Sequence, residues 1–156
     1  MNLRAWRIVK RKYALDAFTG EGARLYGGRW NSPGRQVVYT SESQSLAALE
    51  LLVHLEMPEV LFHYVVFEVT FEPSLAEDVG PDLPERWDAE PVLRKVQAIG
   101  DEWIRSGGSA VLRVPSALIP SENNFLLNPL HWQFSKIRIG KETPFRIDRR
   151  LSKKTK

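Results

Sequence analysis

The run Val37-Val38-Tyr39-Thr40-Ser41-Glu42-Ser43-Gln44-Ser45-Leu46-Ala47-Ala48-Leu49-Glu50-Leu51-Leu52-Val53-His54-Leu55 changes character part-way along. Its opening Val37-Val38-Tyr39 is β-branched and aromatic, the composition of a short strand. Over residues 43–55 the spacing predicts a helix that Leu46, Ala47, Ala48, Leu49, Leu51, Leu52, Val53 and Leu55 make apolar nearly all round. Ser41 or Ser43 is placed to cap it, and Pro58 lies just past its end. A helix of this kind is expected to be mostly buried. The rhythm then turns to period two over residues 62–71. His63, Val65, Phe67, Val69 and Phe71 fall on one face of that strand, and Tyr64, Val66, Glu68 and Thr70 on the other.

Outward from this centre, strands are expected at residues 5–9, 29–30, 110–114, 123–127, 137–139 and 145–147. Residues 13–28 are glycine-rich and mixed polar, an ordered loop, and Asn31-Ser32-Pro33-Gly34 is a turn. Residues 72–90 are acidic and punctuated by Pro73, Pro81 and Pro84, which predicts an exposed connection. A second helix is predicted over 91–106, with Val92, Val96, Ile99 and Trp103 on one stripe and Gly107-Gly108 ending it. The sum is an α+β fold: a single compact domain with a mixed, short-stranded sheet and two main helices.

The chain's 156 residues suit one domain, taken as residues 1–150 with a basic flexible tail at 151–156. Cysteine is absent, which excludes disulfide frameworks, thiol nucleophiles and Cys-ligated zinc. The three histidines, His54, His63 and His131, have no metal-ligand spacing, so no metal is expected. No apolar run approaches the ~20 residues of a membrane span, and no signal-peptide core opens the chain. A cytoplasmic location without membrane contact is the default expectation. Charge is uneven: residues 1–35 carry eight basic and two acidic side chains, 36–135 five and fifteen, and 136–156 nine and two. Nucleic acid, an anionic small ligand, or basic ends packed beside an acidic middle would each account for that pattern.

Three places could carry chemistry. Glu50 lies within the apolar helix, where a carboxylate is costly unless paired, placed at a rim or put to use. Arg29 follows Gly27-Gly28 and precedes Trp30-Asn31; its guanidinium suits bidentate contact with phosphate or carboxylate, and the glycines admit a close approach. A turn arginine paired with Glu50 fits the same residues. Ser121 stands in the proline-bracketed run 114–129, with no G-x-S-x-G elbow and no adjacent base. Ligand hydrogen bonding or a turn remains for it. Tyr39 offers a ring face before the helix, as a core residue or a stacking platform, and His131 beside Trp132 reads as surface or packing.

Taken in order, Trp6-Arg7-Ile8, Gly20-Glu21-Gly22-Ala23, Gly27-Gly28-Arg29-Trp30-Asn31, Val37-Val38-Tyr39, Leu46-Ala47-Ala48-Leu49-Glu50 and residues 114–129 resemble the RES-domain toxins. The resemblance spans residues ~5–130 and puts the family's Arg, Glu and Ser on Arg29, Glu50 and Ser121. It implies a fold like that of the ADP-ribosyltransferases and a toxin–antitoxin system whose antitoxin carries an Xre-type helix-turn-helix. It also implies degradation of NAD+ as substrate, by hydrolysis or phosphorolysis, with ADP-ribosyl transfer to a protein as the alternative. No prosthetic group is implied. In that scheme Glu50 faces the ribose, Arg29 holds the pyrophosphate or the adjacent ribose phosphate, Tyr39 stacks on or orients the nicotinamide, Ser121 hydrogen-bonds the ligand and Tyr13 walls the pocket. DNA contact would belong to the antitoxin, which would cover the NAD+ pocket in the complex.

Overall fold

A computed structural model describes residues 1–54, 63–146, 148 and 150. Eight strands form one sheet: β1 (Leu3–Lys10), β2 (Val38–Ser41), β3 (Tyr64–Phe71), β4 (Ala76–Asp78), β5 (Val111–Pro115), β6 (Asn123–Leu127), β7 (Arg138–Ile139) and β8 (Thr143–Phe145). Their order is β4-β5-β6-β2-β1-β3-β7, and β8 also pairs with β3. Every pairing is antiparallel except that of β4 with β5. Among the described residues three α-helices join them: α1 (Glu21–Tyr26), α2 (Gln44–His54) and α3 (Arg94–Ser106). The α+β expectation holds, with α2 and α3 as the two main helices.

One face of the sheet packs Ala5, Val38, Val69, Phe71, Phe125 and Leu127 into a fully apolar layer. It continues at Val65 and Phe67, which Ala17 and Phe18 cover from the 3-10 turn Arg11–Asp16. The opposite face is shared. Leu51 and Leu52 of α2 lie on Trp6, Ile8, Tyr64 and Val66, while α3 brings Val96 and Trp103 onto Leu112, Val114 and Leu126. Both faces of β3 are therefore buried near its start, in keeping with the alternation of its sequence.

Several elements depart from their sequence reading. Ser43, not Ser41, caps α2: its Oγ accepts the Leu46 N–H at 3.1 Å. That helix is not mostly buried. Only Leu46 and Ala47 are, and Leu49 and Val53 are 43% and 60% exposed, because nothing among the described residues packs on its outer side. Arg29-Trp30 is no strand but the middle of a tight Gly28–Asn31 bridge. The connection over 72–90 is only partly exposed: β4 joins the sheet, and Val79, Leu83 and Trp87 pack around Trp30. The indoles of Trp30 and Trp87 stack 5.9 Å apart. Apolar residues four apart in a proline-broken run make no helix, yet they still bury. Leu55 and Phe62 at the expected ends of α2 and β3, Ile147 beyond β8 and the tail at 151–156 lie outside the described residues.

Candidate active site

β1 and β2 meet at a single register pair, Trp6 with Ser41, and then separate. Beside this split, between α2 and the loop leading into α1, opens a cavity of about 730 Å³. That is the size of sites that hold small molecules, roughly 300–1,000 Å³. Trp6, Trp30 and Tyr39 line it together with Arg7, Arg29 and Glu50.

Glu50 is half-buried on the inner side of α2. Its Oε1 accepts two hydrogen bonds, from Ser116 Oγ at 2.8 Å and Asn124 Nδ2 at 2.9 Å. Among the described residues no donor reaches Oε2. Ser116 is fully buried directly after β5, and its Oγ accepts the backbone N–H groups of Leu118 and Ile119 at 3.1 and 3.2 Å. The hydroxyl proton is thereby left for the carboxylate. Glu50 thus satisfies the cost of its burial with neutral donors and makes no ion pair with Arg29.

Arg29 lines the same cavity but aims elsewhere. Its guanidinium donates to the carbonyls of Trp87 at 3.1 Å and Ala89 at 2.9 Å and pairs with Glu90. It braces the 87–90 segment, of which Glu90 lines the cavity, and its side chain stays only 15% exposed while that of Glu90 is 75% exposed. The two preceding glycines have separate reasons. Gly27 has φ +73, a conformation that side chains disfavour, and a Cβ on Gly28 would sit 2.6 Å from the Tyr39 hydroxyl. The close approach foreseen at this loop is made by Tyr39. Its hydroxyl donates to Asn31 Oδ1 at 2.5 Å and accepts the Trp30 N–H at 3.2 Å, and burial pushes its pKa well above the ordinary phenol value. Tyr39 thus lines the cavity with its hydroxyl committed to the loop.

Two expected residues are absent from the cavity wall. Ser121 is exposed on the turn between β5 and β6, and the serine that reaches Glu50 is Ser116, five positions earlier. The turn folds back so that the Glu122 carbonyl accepts the Ser116 N–H at 2.9 Å, carrying Ser121 to the outside. Tyr13 is 52% exposed, packs under the Lys12 ammonium and does not line the cavity, since its 3-10 turn presents Asp16 there instead.

Arg7 was not singled out from the sequence. Its guanidinium donates to the carbonyls of Ala17 at 2.6 Å and Tyr39 at 2.9 Å, the second bridging the split between β1 and β2. Burial pushes its pKa down to about 10, so it is fully charged at pH 7. Among the described residues it has no carboxylate partner. With hydrogen bonds to carbonyl oxygens alone, its positive charge stands beside the cavity without an ion-pair partner among the described residues. The signal available in the sequence was an arginine inside the apolar strand Trp6-Arg7-Ile8-Val9. Asn31 was likewise passed over; fully buried, it knots the loop by donating to the carbonyls of Ala23, Ser32 and Arg35.

Among the described residues no helix is long and apolar enough to cross a membrane.

Comparison with known proteins gives the class first: the chain is similar to bacterial toxins. It is 43% identical over 130 residues to "Toxin Res" of Yersinia enterocolitica, covering 83% of this chain and 86% of the relative. It is 39% identical over 155 residues to the "Prs ADP-ribosylating toxin" of Sphingobium, covering 96% of each. The fold is that of a toxin chain in the crystal structure of the M. tuberculosis MbcT-MbcA toxin-antitoxin complex, with a TM-score of 0.76 at 17% identity over 94% of this chain and 85% of that one. The family follows from the RES domain, whose model matches residues 4–148. The chain belongs to the RES-domain family and is a toxin of that kind.

Proposed function

We propose that this toxin cleaves the bond between nicotinamide and ribose in NAD+, passing the ADP-ribosyl group to water or phosphate. The observation that carries the reading is the pairing, in one cavity, of a carboxylate with a free oxygen and a buried arginine with no carboxylate partner. NAD+ presents the matching groups: a diphosphate and a ribosyl carbon that becomes cationic as its C–N bond breaks.

In this scheme the bonding pair of the C1′–N bond leaves with nicotinamide, which departs neutral and requires no general acid. The remaining ribosyl oxocarbenium ion is stabilised by the Glu50 carboxylate, whose Oε2 also accepts a ribose hydroxyl. An acceptor oxygen then donates its lone pair to C1′ and loses its proton. Arg7 faces the diphosphate, and Arg29 adds positive charge where the exposed Glu90 carboxylate can be displaced. The Tyr39 and Trp6 rings provide faces for the planar bases. Ser116 serves the site through Glu50, taking the place expected of Ser121.

A second reading, transfer of ADP-ribose to a protein, is favoured by the relative named for ADP-ribosylation, which matches nearly the whole chain. It uses the same bond cleavage and differs only in the acceptor. For the partner, we read the exposed Tyr26, Val53 and Leu118 around the cavity mouth as the docking surface of an Xre-type antitoxin that covers the pocket.

Expression of the wild type in bacteria is expected to stop growth and lower cellular NAD+. Glu50→Gln, produced at equal level with an unchanged melting temperature, is expected to do neither. Growth arrest by a folded Glu50→Gln chain contradicts the assignment.

A further inference from the structure

We propose that Asn124 is a positioning residue for the Glu50 carboxylate and that Ser41 sets its orientation. The inference rests on Glu50 being the group that faces the ribosyl cation.

Ser41 and Asn124 stand directly opposite each other where β2 pairs with β6. Ser41 is 4% exposed, so its hydroxyl needs an acceptor, and it donates to Asn124 Oδ1 at 2.8 Å. An amide has two nearly isosteric ends. With Oδ1 held by Ser41, the NH2 end is the one turned to Glu50, donating to Oε1 at 2.9 Å. The reversed amide would set an oxygen against the carboxylate. Among the described residues the Asn124 side chain makes these two bonds and no others. Ser116, by contrast, also holds the turn that follows β5.

Both donors converge on Oε1, and this one-sidedness is what gives the arrangement a function. A carboxylate pinned through one oxygen keeps the other in a fixed direction, with its lone pairs left for substrate. Without Asn124 the group swings on the single Ser116 bond. Misplacement of about 1 Å at a reacting centre lowers turnover by about 100-fold. The loss should appear in kcat, because the interaction matters most when positive charge develops.

The test measures nicotinamide release from NAD+ with inorganic phosphate present, together with melting temperature. The variants are Asn124→Asp, Asn124→Ala, Ser41→Ala, Ser41→Ala with Asn124→Ala, and Glu50→Gln. Asn124→Asp keeps the volume and the Ser41 contact but replaces the donor with a carboxylate oxygen that repels Glu50, and Asn124→Ala removes the donor without adding charge. Both Asn124 variants are expected to lose about 10- to 100-fold in kcat with KM within about twofold of wild type. Ser41→Ala should lose several-fold alone and nothing further in the Asn124→Ala background, since it acts through the amide. Wild-type kcat in Asn124→Asp overturns the proposal, as do losses from Ser41 and Asn124 that multiply, or an effect confined to melting temperature. If Glu50→Gln is inactive while Asn124→Asp is intact, positioning fails and the reading of Glu50 stands. If Glu50→Gln turns over like wild type, or the wild type releases no nicotinamide, both fail.

Discussion

Burial decides the roles at the scale of single residues. Glu50, Ser116 and Asn124 form one hydrogen-bonded set in which every donor is neutral, and no cation pairs with the carboxylate among the described residues. The turn over 116–122 offers two serines, and composition does not say which one faces inward. The fold distinguishes them: Ser116 is fully buried against Glu50, while Ser121 is exposed. Ser116→Ala should therefore lower nicotinamide release at least about 10-fold, and Ser121→Ala should leave it within about twofold. Ser116→Ala should also cost about 1–2 kcal/mol of stability, since Leu118 and Ile119 lose the acceptor of their N–H groups. Equal losses from the two variants, measured by turnover and thermal unfolding, would contradict this assignment.

Among the elements, α3 and the 79–93 segment decide whether the Arg29 loop stands where it does. Gly100 on the inner face of α3 is fully buried, and a Cβ there would lie 1.7 Å from the Trp30 carbonyl oxygen. Glycine to alanine inside a helix ordinarily gains about 1 kcal/mol. Here the obstacle is backbone and cannot rotate away, so overpacking of about 1–3 kcal/mol or more wins. Gly100→Ala is expected to lower the melting temperature by several degrees in thermal denaturation; an unchanged or higher value would contradict the packing of α3 on Trp30. The strong periodicity of residues 43–55 and 62–71 made α2 and β3 legible in the sequence. The 79–90 wall was not, because Val79, Leu83 and Trp87 bury without any regular hydrogen-bond pattern to announce them. Arg7 was missed for a related reason. Period two says which strand face a residue joins, not that the neighbouring strand departs after one pair and opens a cavity beside it.

The whole molecule gives the uneven charge a location. Of the basic N-terminal residues, Arg4 pairs with Glu68 and Arg24 with Glu21, while Arg7 and Arg29 reach the cavity. The acidic middle contributes Glu50 to the same cavity and Glu90 to its rim. Membership of the RES-domain family was readable from ordered short motifs, whereas the contact of Ser116 with Glu50 and the place of Arg7 in the cavity wall required the fold. We propose cleavage of the nicotinamide–ribose bond in this one cavity, and doubly labelled NAD+ reads it out: the isolated chain is given NAD+ labelled in both the nicotinamide and the adenine, in buffer, with inorganic phosphate, and with a bacterial lysate. Free labelled nicotinamide is expected in a Glu50-dependent reaction, with the adenine label in ADP-ribose, its phosphate ester or a protein band according to the acceptor. NAD+ left intact under all three conditions would contradict it.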